Sequence, residues 1–137
     1  MVKINKICSI QGSSVENEDI VGSQNQYFWI IGGATDLYNS KEEIGYSVSE
    51  VVHILSESLS VNCKESKTLK QIFETALLEV KDEIGTNRIR TVKSISNNIL
   101  EVDVYYSSFN LLYFEQPKVS FLVCSLIFIV YLNTKTP

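Results

Sequence analysis

The chain has 137 residues, 45% hydrophobic and 20% charged, a length within the ~100–200 residues of a single core and a composition that excludes disordered and fibrous classes. Its net charge of -4 and pI near 5.0, with no basic run, give nucleic acid no surface to hold and set that class aside. The three cysteines, Cys8, Cys63 and Cys124, are odd in number and lack a C-x-x-C pair, which excludes a disulfide framework or zinc site and points to a reducing cytoplasm.

In chain order, Met1 to Lys6 is followed by Ser9, Gln11, Gly12 and Ser13, where a signal peptide would need an unbroken apolar stretch, so no export signal is expected. A strand is expected from Lys3 to Ile10, carried by Ile4, Ile7 and Cys8, and then a polar loop, "SSVENEDIVGSQNQ". The run Tyr27-Phe28-Trp29-Ile30-Ile31 suits a strand buried on both faces. Gly32-Gly33 ends it, either as a tight turn or as bare backbone that lets a ligand approach.

Two helices are expected next. "SKEEIGYSVSEVVHILSESLS" opens with Ser40 as N-cap and Glu43 at capping-box spacing, with Ile44, Val48, Val51, Val52, Leu55 and Leu59 at helical intervals. The second runs from Lys67 to about Ile84, with Leu69, Ile72, Phe73, Ala76, Leu77, Val80 and Ile84 on one side and Gly85 as its stop. The helices are expected to pack as an antiparallel pair against a sheet in which Lys3 to Ile10 neighbours Tyr27 to Ile31.

Beyond Gly85, "TNRIRTVKSISNN" is polar and mixed, while Ile99, Val102, Val104 and Tyr106 have β character. "VSFLVCSLIFIVYL", Val119 to Leu132, falls short of the ~20 apolar residues of a spanning helix. Its Val, Ile, Phe and Tyr favour a buried strand or strand pair over a tail anchor flanked by Lys118 and Lys135. Strand, strand, helix, helix and then strands describe α+β layering.

Few residues carry chemistry. His53, the only histidine, has no Cys or second His at helical ligand spacing and reads as structural or partly exposed. Ser13, Ser14 and Cys63 lack the context of a nucleophile. Asn17-Glu18-Asp19 reads as solvated surface charge, or, beside a strand tip, as oxygen ligands for Mg²⁺ or Mn²⁺.

"VENEDIVGSQNQYFWIIGGATDL" resembles the PP2C-type metal-dependent serine/threonine protein phosphatases, whose bacterial members carry N-E-D followed by a strand ending D-G-A-T. "NSKEEIGYSVSEVVHILSESL" and "LKQIFETALLEVKDEI" are similar to the helices that follow in that family, so the resemblance covers about residues 1–84. It implies a β-sandwich flanked by helices and a binuclear metal centre that activates water for attack on phosphorus. Asp19 then matches a metal ligand, Glu18 the acidic residue beside it, and Gly33 the glycine whose carbonyl contacts metal. Gly32 stands where the family has its aspartate, and Ser14 where it has the arginine that binds the substrate phosphate. Asp36 lies too far along to substitute for Gly32. No later D-G or G-D-N follows; Asp82 is expected on the polar side of its helix and Asp103 at an outward strand position.

The expectation is a single truncated PP2C-like domain over 1–137, α+β, a partial sandwich with an antiparallel helix pair on a sheet. Metal-dependent phosphoprotein hydrolysis is impaired or lost, and Mg or Mn is bound weakly or not at all. No side chain is assigned a catalytic role, and a phosphoprotein is the substrate if any activity remains. The alternative is a non-catalytic interaction module or decayed fragment, pairing through sheet edges. A cytoplasmic, non-membrane protein is expected either way.

Overall fold

The computed structural model describes residues 8, 10, 16–33, 41–42, 45–64, 66–85, 89–96, 99–107 and 120–131. The architecture is mixed α+β. Its elements are β1 (Asp19–Gln24), β2 (Tyr27–Gly33), α1 (Val48–Asn62), α2 (Leu69–Ile84), β3 (Ile89–Ser96), β4 (Ile99–Ser107) and β5 (Ser120–Tyr131). The strands form one antiparallel sheet in the order β1-β2-β5-β4-β3. The expected strand at Lys3 to Ile10 falls almost wholly outside the described residues, and Cys8 and Ile10 belong to no strand. The two flanks of β2 are taken by β1 and β5.

β1 corrects the expectation of a continuous polar loop. Asp19–Gln24 pairs residue for residue with β2, and Gln24 faces Tyr27 across the two-residue turn Asn25-Gln26. Asn25 takes a left-handed φ of 56°, which asparagine tolerates better than most residues. β1 is polar because it is an edge strand with only part of one face to bury; Ile20 packs against the core, while Asp19, Ser23 and Gln24 are exposed.

β2 corrects a second expectation. It is not buried on both faces: Tyr27, Trp29 and Ile31 are buried, while Phe28 and Ile30 between them are only half-buried. The helices cover one face, and side chains alternate across a strand. Trp29 packs where β1 offers Gly22, at which any Cβ would collide with the indole ring. Its Nε1 donates to Ser56 Oγ of α1 at 2.9 Å, so the one polar atom of this buried ring is satisfied.

α1 starts later than expected. Its N-cap is Ser47, whose Oγ accepts from the Glu50 N–H while the Glu50 carboxylate accepts from the Ser47 N–H. Lys41 and Glu42 are helical too, but Gly45, at φ 81°, turns the backbone left-handed between them and α1; Ser40 and Glu43 of the expected capping box lie outside the described residues. α2 agrees closely with its periodicity: Ile72, Phe73, Ala76, Leu77, Val80 and Ile84 are buried, Thr68 caps it, and Gly85 ends it at φ 74°. The helices pack on each other, α1 against β1, β2 and β5, and α2 against β4.

Of the later chain, β3 answers to the stretch read as polar and mixed, since "IRTVKSIS" forms the far edge of the sheet. In β4, Leu100, Val102 and Val104 turn to the core and Asp103 outward, as the alternation predicts. Val119 to Leu132 yields β5, a twelve-residue strand between β2 and β4, with register shifts against both neighbours. No helix among the described residues is long and apolar enough to cross a membrane.

Candidate functional site

The β1–β2 hairpin brings Asp19 and Gly33 together, fourteen positions apart in sequence. Asp19 pairs with Gly32, and the Gly33 N–H lies 2.9 Å from the Glu18 carbonyl and 3.2 Å from Asp19 Oδ1, so both oxygens accept from one donor. Asn17 steers the chain into this arrangement, its Oδ1 accepting from the Asp19 N–H at 3.1 Å as in an Asx turn.

The start of α1 braces the tip. Ser49 Oγ donates to the Asn17 carbonyl at 3.1 Å, and Ser47 Oγ donates to Glu16 Oε2 at 3.2 Å. Contact here is close enough to require glycine at position 33, where a Cβ would meet the Glu18 carbonyl oxygen at 2.5 Å, Glu18 Cβ at 2.7 Å and Val48 Cγ1 at 2.9 Å. Close approach, not left-handed backbone, is its function: the described glycines with positive φ are Gly45 and Gly85.

Glu18, Asp19 and Gly33, singled out from sequence, therefore meet at one end of the sheet. Asp19 is exposed, and Glu18 and Gly33 are half-buried. Directly opposed residues share a face, so a side chain at Gly32 would project beside that of Asp19; glycine leaves the position bare. Ser14 and Asp36 lie outside the described residues.

Sequence reasoning missed the placement of Asp103. Gly32 pairs with Ser125, and Ser125 with Asp103, so Asp19, Gly32, Ser125 and Asp103 form one lateral row across four strands. Only sheet order reveals this, because it depends on β5 lying between β2 and β4. At ~4.8 Å per strand, Asp103 is roughly 14 Å from Asp19, too far for one cation to touch both carboxylates. Asp82 is exposed on α2.

The donor set does not fit a pair of hard cations, which require several fixed carboxylates. Glu18, Asp19 and the Gly33 carbonyl are few, and among the described residues no group of three His, Cys, Asp or Glu side chains has metal-holding geometry.

His53 lies one turn beyond Ser49, exposed on α1 with Nδ1 2.7 Å from the Ser49 carbonyl, in a groove of about 360 Å³ shared with Tyr46, Glu50 and Glu57. Lys41 Nζ, 2.9 Å from both Glu50 carboxylate oxygens, and the Ser47 amide hold the Glu50 carboxyl below its ordinary 4.5. Cys63 is buried, and burial raises its thiol to about 12. No protein-family model matches the chain, and no curated protein or solved structure matches it.

Proposed function

We propose that the chain is a reduced relative of the PP2C-type serine/threonine phosphatases, with a phosphatase-like strand tip but impaired or lost metal-dependent hydrolysis of phosphoproteins. One observation carries this reading: the register that sets Asp19 opposite Gly32 and hangs the Gly33 amide on Glu18 and Asp19. That geometry suits a strand tip presenting an acid between Asp19 and the glycine carbonyl, and the acid is missing. The resident ion of the working relatives, Mg²⁺ or Mn²⁺, would supply an activated water; here Glu18, Asp19 and the Gly33 carbonyl are left to hold it weakly. The finer architecture in this reading is a partial sandwich with an antiparallel helix pair, in a cytoplasmic protein.

Turnover tests it. The purified chain should show no hydrolysis of a phosphoserine peptide or an aryl phosphate above background, with or without Mn²⁺. The Gly32→Asp, Ser14→Arg double variant should remain nearly inactive, because the bridging acid and the phosphate clamp act together with ligands this chain does not encode. Metal-dependent hydrolysis by the unmodified chain, abolished by Asp19→Ala, would overturn the reading.

A second reading, an interaction module pairing through its sheet edges, is favoured by the position of β1 and β3 as the outer strands of the described sheet. Sedimentation over a range of concentrations separates the two. Self-association abolished by a proline at Val21 supports the module, and a monomer throughout removes it.

A further inference from the structure

We draw no further inference here: the strongest candidate, the lateral row of Asp19, Gly32, Ser125 and Asp103 across the outer sheet face, sets two carboxylates in line but roughly 14 Å apart at ~4.8 Å per strand, and nothing in the structure shows a ligand between them.

Discussion

The two ends of the β1–β2 hairpin are fastened to the two ends of α1 by different chemistry. At the turn, Asn25 Nδ2 donates to the Cys63 carbonyl at 3.2 Å and the Tyr27 hydroxyl to the Lys64 carbonyl at 3.1 Å; the fastening side chains are neutral. At the open end, Glu16, Glu18, Asp19 and Glu50 gather around the first turn of α1 and a glycine packed too tightly to accept a methyl group. The turn end needs only to hold the hairpin on the helix. The open end holds a strand tip beside carboxylates through main-chain and capping bonds.

The largest expected effect lies between the two ends, at the residue that joins hairpin to helix. Trp29→Ala removes a ring only 2% exposed together with its bond to Ser56, and should cost about 3–5 kcal/mol in denaturant unfolding. A loss below about 1 kcal/mol would mean that the hairpin is not seated on α1 through this ring.

Gly33→Ala probes the open end. Its methyl group would meet main chain at Glu18 as well as the Val48 side chain, so relief requires backbone movement and should cost about 1–3 kcal/mol. Asn25→Ala at the turn end should cost less, because only a partly exposed side-chain bond and a local φ preference are lost. Equal costs would erase the contrast between the ends.

Capping gives a smaller effect. Ser47→Ala removes the acceptor for the Glu50 amide and the donor to Glu16, and should lower stability by about 1 kcal/mol. Ser40→Ala should cost less, since the cap of α1 is Ser47 and its first residue is Val48. The reverse result would restore the earlier helix start.

The smallest effect is acid dependence at the same helix start. The Glu50 carboxyl lies below its ordinary 4.5, chiefly through Lys41 and then the Ser47 amide, so its contribution is present above 4.5 and is lost as pH falls through the lower folded value. Lys41→Met should flatten that acid limb slightly, as expected of an exposed ion pair. An unchanged limb would show that the pair contributes nothing in solution.

How much of this was legible in the sequence differs by element. α2 was readable because its apolar stripe and the Gly85 stop agree. α1 was readable in its body but not its start, since Ser40-x-x-Glu43 and Ser47-x-x-Glu50 compete and only the left-handed Gly45 decides between them. β1 and β3 escaped because edge strands need little apolar patterning, and the place of β5 beside β2 depends on pairing across about a hundred residues. Glu18, Asp19, Gly32 and Gly33 could be singled out from the sequence; their meeting at one strand tip, the double acceptance of the Gly33 amide and the row through Asp103 required the sheet.

In the phosphatase-like reading proposed above, the strand tip lacks one carboxylate, at Gly32. Calorimetric titration with Mn²⁺ of the unmodified chain and the Gly32→Asp variant tests it most directly. The account predicts weak binding by the unmodified chain and distinctly tighter binding by the variant, whose new carboxylate stands opposite Asp19. Tight binding of two Mn²⁺ ions by the unmodified chain would contradict it.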